Sequence, residues 1–180
     1  MIAESIGYRG WVLEVDAAAT AAAYSEIQSP TTTCECRWCA NFVAWRQHGY
    51  PQEILVLMPR LGLDPNRESD VYQQDLDRNE GTVLYRWFFF FRGRVVSGPQ
   101  AWTLTEDDPD PVLAVTKWEL HMLYLAPRQY GFAVGFGDSP SRIRVEGTNV
   151  PPSLRKGPTT QLEFRAFVPW TVSETLPQHL

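Results

Sequence analysis

Cys34, Cys36 and Cys39 lie within six consecutive positions, spaced Cys34-x-Cys36-x-x-Cys39, and they are all the cysteines of a 180-residue chain. A thiolate is both a nucleophile and a soft metal ligand, so three of them this close permit three readings. In the first, the sulfurs hold zinc, with a fourth ligand brought in by the fold. In the second, Cys36 or Cys39 is the nucleophile of a thiol-dependent enzyme. Cys36-x-x-Cys39 has the spacing of a redox dithiol, but such pairs follow a strand in a βαβ unit, and no such unit is apparent around it. In the third, these small and usually buried residues pack a helix against a sheet. Residue type favours packing, and the other two readings stay open.

A zinc reading needs a fourth donor. His48 is nearest in sequence, yet if a helix continues from Cys39 the intervening rise of ~1.5 Å per residue places the imidazole ~13 Å along the axis, out of reach of a metal bond. His121, an aspartate or water would have to serve instead. Asn41 is the polar neighbour that would join the thiols in any chemistry, or else bond backbone nearby.

The cluster must be positioned by the elements around it. Thr31, Thr32 and Thr33 are expected to cap a helix starting near Cys36, because hydroxyl oxygens accept the free N–H groups of a first turn. Cys36, Cys39, Ala40 and Val43 then share one helical face, and Trp38, Phe42 and Trp45 form an adjoining apolar stripe. This predicts a helix buried over much of its circumference. Pro51 suits the first position of a second helix, with Ile54, Leu55 and Met58 at helical spacing and Pro59 ending or kinking it. Leu61-Gly62-Leu63-Asp64-Pro65 reads as the exit, and Glu68 to Gln74 as one more short helical segment.

Strands are expected on both sides of this helical pair. Tyr8 to Val15 reads as a first strand, although its period is imperfect. Ala17 to Ala23 is helical by propensity, while the alternation of Tyr24 to Gln28 competes as a short strand. Val83 to Val96 is a long β-favouring run, apolar at its centre on both faces like a covered central strand, with Gly93 marking a bulge or bend. Further strands are predicted over Thr116 to Ala126, Gly131 to Gly137, Arg142 to Glu146 and Gln161 to Thr171. The sum is one α+β domain over residues 1–180, with a mainly antiparallel sheet of five to seven strands covered by a short helical pair from residues 36–60.

Other chemistry-bearing residues have plainer readings beside them. Glu106-Asp107-Asp108-Pro109-Asp110 offers carboxylates for calcium but lacks the ligand spacing and turn glycine of a calcium loop, so a solvated loop is expected. His121 sits between Leu120 and Met122 in an expected strand with no serine or aspartate partner at a telling spacing. Gly131, Gly135 and Gly137 have neither the lysine nor the context of a phosphate loop. Trp87 to Phe91 reads as core rather than as a partner-binding face. Arg86, Arg92 and Arg94 can flank an acidic ligand, but solvation of a sheet edge explains them without one.

Composition narrows the classes. Hydrophobic residues at 44% and charged residues at 21%, with seven Trp, seven Tyr and nine Phe, describe a globular chain. A formal charge of −5 argues against generic nucleic-acid binding, which needs an excess of basic residues. No apolar run is long enough to span a membrane, and the first residues do not have the pattern of a signal peptide. The expected compartment is the cytoplasm, with reduced thiols.

The blocks Thr32-Thr33-Cys34-Glu35-Cys36-Arg37-Trp38-Cys39-Ala40-Asn41-Phe42, Leu61-Gly62-Leu63-Asp64-Pro65, Val71-Tyr72, Trp87-Phe88, Leu162-Glu163-Phe164 and Val168-Pro169-Trp170 together resemble a family of uncharacterised small bacterial cytoplasmic proteins. The resemblance is scattered over residues 30 to 172 and implies a bacterial, stand-alone, intracellular domain with no established activity, ligand or catalytic residue. Small size, acidity and the lack of a catalytic constellation point first to a non-catalytic protein-interaction module of the immunity or inhibitor type, steered electrostatically to a basic protein partner. A zinc-binding protein using Cys34, Cys36 and Cys39, and a thiol-dependent enzyme, are the alternatives.

Overall fold

The computed structural model describes residues 3–99, 123–125, 131–138, 150–173 and 175–177. The chain opens as a hairpin of β1 (Glu4–Tyr8) and β2 (Trp11–Val15), in which Tyr8 pairs with Trp11. The two linking residues, Arg9 and Gly10, both have positive φ (46° and 97°), the backbone of a tight two-residue turn that matches strand twist. The single strand expected from Tyr8 to Val15 is therefore the end of one arm, the turn and the whole of the next arm. The imperfect alternation there comes from the reversal.

Asp16 caps α1 (Ala17–Ser25), its carboxylate accepting the Ala19 N–H at 2.9 Å. Alanine propensity prevails over the alternation of Tyr24 to Gln28, and no strand forms there. The helix is held by the sheet, for reasons that lie in the longest strand. β4 (Thr82–Ser97) pairs along one edge with β7 (Thr159–Pro169) through Arg92. Its other edge is shared: Thr82–Phe88 pairs with β3 (Asp70–Asp77), and Gly93–Ser97 with β2.

Between these two partners α1 takes the place of a strand. The Phe90 N–H donates to Tyr24 Oη at 2.8 Å and the Arg92 N–H to Thr20 Oγ1 at 3.0 Å. Thr20 and Tyr24 are four residues apart, one helical turn, so their hydroxyls meet alternate amides of the strand. The Asp16 N–H completes the join by donating to the Arg92 carbonyl at 2.9 Å.

Outward from β7 the sheet continues through β6 (Ala133–Asp138) to β5 (Leu123–Tyr124), giving seven antiparallel strands among the described residues. Among the described residues the α-helices are α1, the single turn α2 (Pro30–Thr33), α3 (Arg37–Gly49) and α4 (Gln52–Arg60). The α+β architecture with its helical pair is as expected, but Glu68 to Gln74 is not helical. Most of that segment belongs to β3, because ladder pairing with β4 overrides a weak local preference. The register shift in the β2–β4 pair falls opposite Val12 and Leu13, which pair with Ser97 and Val95, so the extra residue is Val96 and not Gly93. Gly93 answers a different need: a Cβ there would stand 2.2 Å from the Glu14 carbonyl oxygen.

Val83, Tyr85, Trp87, Phe89 and Phe91, on one face of β4, are buried in one core cluster with Phe42 of α3 and Ile54, Leu57 and Met58 of α4. Phe42 lies 5.2 Å from Trp87 and 5.5 Å from Tyr85 between ring centroids, and Trp87 Nε1 donates to Tyr50 Oη at 2.7 Å. The Trp87 to Phe91 run is core, as expected. On the other face, Arg86 and Arg165 flank the fully buried carboxylate of Glu163, Arg86 Nη2 donating to it at 2.7 Å. Arg86 is thus no solvated edge residue. Arg92 donates to the carbonyls of Ser153 and Pro158, and Arg94 pairs with Glu14.

The acidic loop Glu106 to Asp110, His121, the strand expected over Arg142 to Glu146 and all but Leu123 to Leu125 of Thr116 to Ala126 lie outside the described residues. Gly135 and Gly137 are residues of β6, so the phosphate-loop reading has no loop to stand on. Among the described residues no helix is long and apolar enough to cross a membrane.

Candidate metal centre

The thiols sit in the short link between α2 and α3. Ser29 caps α2, accepting the Thr31 N–H at 3.3 Å, and Pro30 follows at the first helical position. The three threonines therefore build a turn of their own instead of capping the next helix. The Cys34 N–H closes that turn on the Pro30 carbonyl at 3.1 Å, and its extended backbone (φ −93°, ψ 123°) leads the chain out. Cys36 (φ −73°, ψ 153°) is itself the cap of α3, its sulfur accepting the Cys39 N–H at 3.4 Å. A cysteine in the place of the usual serine or aspartate aims its sulfur at the amide-rich end of the helix, where negative charge is favoured.

The three Sγ atoms lie within 4.8 Å of one another, and Cys34 Sγ and Cys36 Sγ are in hydrogen-bond contact at 3.1 Å. Three thiolates on tetrahedral zinc, each bonded at ~2.3 Å, would stand ~3.8 Å apart, so shifts of under ~1 Å convert the cluster into a coordination sphere. The residues present fit that ion. Cys34 and Cys36 are exposed and Cys39 is half-buried. The contact with Cys36 holds the Cys34 thiol below the usual thiol range, whereas burial first, and then the neighbouring thiols, push Cys39 up.

Exposure overturns the packing reading. The buried side chains of α3 are Asn41, Phe42 and Arg46, with Trp38 and Trp45 partly covered, while Cys36 and Ala40 face solvent. The helix is buried along one stripe and not over most of its circumference. Cys36-x-x-Cys39 is also preceded by a helical turn, not by the strand that a thioredoxin-like dithiol would follow.

Two sets of bonds fix the link from below. The first turn of α3 is held to the sheet. Tyr85 Oη donates to the Trp38 carbonyl at 2.9 Å, and Trp38 meets Trp170 edge to face at 5.2 Å. Asn41 donates to the Pro169 carbonyl at 3.1 Å and accepts the Thr171 N–H at 2.8 Å. Asn41 is thus fully buried as a clamp on the end of β7, bonding backbone remote in sequence and not the thiols.

The second set holds α2 against α3. Glu68, fully buried, receives Arg46 Nη1 at 2.5 Å and the Ser29 hydroxyl at 2.5 Å, and also accepts from the Thr31 hydroxyl. Arg46 Nη1 donates to Thr31 Oγ1 at 3.0 Å as well. Cys34 follows α2 directly and Cys39 lies in the first turn of α3, so this buried ion pair ties together the two elements that carry Cys34 and Cys39. Sequence reasoning missed it. The available signal was Arg46 itself, one turn beyond Phe42 on the apolar stripe, where a charge requires a buried counter-ion.

His48 stands in the last turn of α3, at the far end from the thiols, where it lines a cavity of about 210 Å³ with Trp45, Pro169 and Thr171. Among the described residues no histidine, aspartate or glutamate joins the three sulfurs. Comparison of the chain with protein-family models, curated proteins and solved structures gave no match in any of the three.

Proposed function

We propose that the chain is a metal-binding protein in which Cys34, Cys36 and Cys39 hold one zinc ion and leave its fourth position to water, a small ligand or a partner's side chain. The observation that carries this reading is the convergence of three sulfurs within 4.8 Å on a link braced from two sides. Surface exposure of Cys34 and Cys36 supports it, since a site with three protein ligands and an accessible fourth position is the arrangement of working zinc centres, whereas structural ones are closed by four protein ligands. Zinc there would polarise what it binds, and the three thiolates would hold the excess negative charge. The interaction-module reading rests on small size, acidity and the lack of a catalytic constellation, and the acidic loop that could steer a basic partner lies outside the described residues.

Metal analysis of the full chain purified without chelator tests the proposal. The expected result is one zinc per chain, lost in C34S, C36S and C39S, with a melting temperature that falls on chelation. Substoichiometric zinc and iron, together with melting indifferent to chelator, would overturn it.

A further inference from the structure

Resting on this metal reading, we infer that Cys34 and Cys36 are the oxidisable edge of the centre: a peroxide closes them into a disulfide and releases the metal, while Cys39 stays reduced. Their sulfurs are already in contact at 3.1 Å, and a disulfide needs ~2.05 Å, so the approach required is only ~1 Å. Both side chains are exposed and reachable by a small oxidant, whereas Cys39 is half-buried. Backbone placement separates them further. Cys34 and Cys36 occupy extended residues of the link, outside the helical spans, so tightening them costs at most the Cys36 cap on the Cys39 N–H. Cys39 belongs to the first turn of α3, and moving it means moving a helix that Tyr85 and Asn41 fasten to the sheet.

The chemistry balances with hydrogen peroxide as oxidant. The Cys34 thiolate attacks one peroxide oxygen, an S–O bond forms, the O–O bond breaks and hydroxide leaves. The Cys36 thiolate then attacks the resulting sulfenic sulfur, the S–S bond forms and the S–O bond breaks with loss of a second hydroxide. Two thiolates give up two electrons, peroxide accepts them, and two protons from solvent complete two waters. A zinc ion left with Cys39 alone dissociates. A thiol reductant reverses the step and restores the site.

The sequence supplies its own readout. Trypsin cleaves after Arg9, Arg37 and Arg46, which leaves Cys34 and Cys36 on the peptide 10–37 and Cys39 on the peptide 38–46. The reduced full chain is first titrated with zinc, then treated with one equivalent of hydrogen peroxide in the presence of a chromogenic chelator, and its free thiols are blocked before digestion. The expected result is zinc released in proportion to oxidation, a 10–37 peptide lighter by about 2 Da and unblocked, and a blocked 38–46 peptide. A cross-link between the two peptides, or zinc retained while the peptide oxidises, would overturn the inference and leave the metal reading standing. A chain that takes up no zinc before peroxide is added overturns both, and the titration step shows it.

Discussion

Replacing Glu68 by Gln removes the only counter-ion that Arg46 has among the described residues, without changing the shape of the side chain. The site is closed to water, with Glu68 at 0% and the Arg46 side chain at 7% exposure, so solvent cannot take over the role of the carboxylate. Arg46 Nε already lacks a hydrogen-bond partner, which makes the guanidinium dependent on Nη1 and its bonds to Glu68 and Thr31. The glutamine amide can rotate to keep an oxygen toward Arg46, but the charge remains uncompensated, and breaking a buried pair from one side costs about 3–5 kcal/mol. With a urea slope of about 2 kcal/mol per molar, the unfolding midpoint falls by about 2 M at unchanged slope. Urea titrations followed by tryptophan fluorescence measure this. Arg46→Met combined with Glu68→Leu is expected to recover part of the loss, since apolar replacement of both partners is often neutral. A cost below about 1 kcal/mol for E68Q, the range of a solvent-screened surface pair, would refute the claim that this ion pair is dehydrated and braces the thiol link.

Tyr24→Phe leaves the Phe90 amide without an acceptor and takes a partner from the Ser69 hydroxyl, 2.7 Å from Tyr24 Oη. It is expected to lower stability by about 2–3 kcal/mol with the fold retained, read from the same urea titration and from faster exchange of the Phe90 amide. Burial holds the phenols of Tyr24 and Tyr50 well above their usual range, so the folded chain keeps them neutral while the unfolded chain ionises near pH ~10. Stability is then fully present below pH ~10 and falls as pH rises beyond it, because the unfolded state releases those protons first. Tyrosinate absorbance of the folded protein appearing with an ordinary phenol pKa would contradict this.

The helical pair and the long strand were legible because their signals are local. Pro51 opens α4, and Thr82–Ser97 is β-favouring through most of its length. What escaped depends on pairing across the fold. Glu68 to Gln74 has no strong propensity of its own, and its conformation is decided by β4 more than by its residues. The thiols were found from spacing, yet their burial was misjudged: helical periodicity places Cys36, Cys39, Ala40 and Val43 on one face without saying whether that face or the neighbouring Trp38–Phe42–Trp45 stripe meets the sheet. Arg46 and Asn41 within that stripe could have decided it, since each, once buried, needs partners remote in sequence: Glu68 and Thr31 for one, the Pro169 and Thr171 backbone for the other.

The seating of α1 on β4 bears on how the chain avoids sticking to itself. An unoccupied stretch of strand flanked by two ladders would be an inviting template for a stray extended peptide. The two hydroxyls of α1 act as a stopper in that opening, answering the amides of Phe90 and Arg92 with side chains that offer an incoming strand nothing to zip onto. Variants that loosen the helix are therefore expected to fail through aggregation before they fail through unfolding.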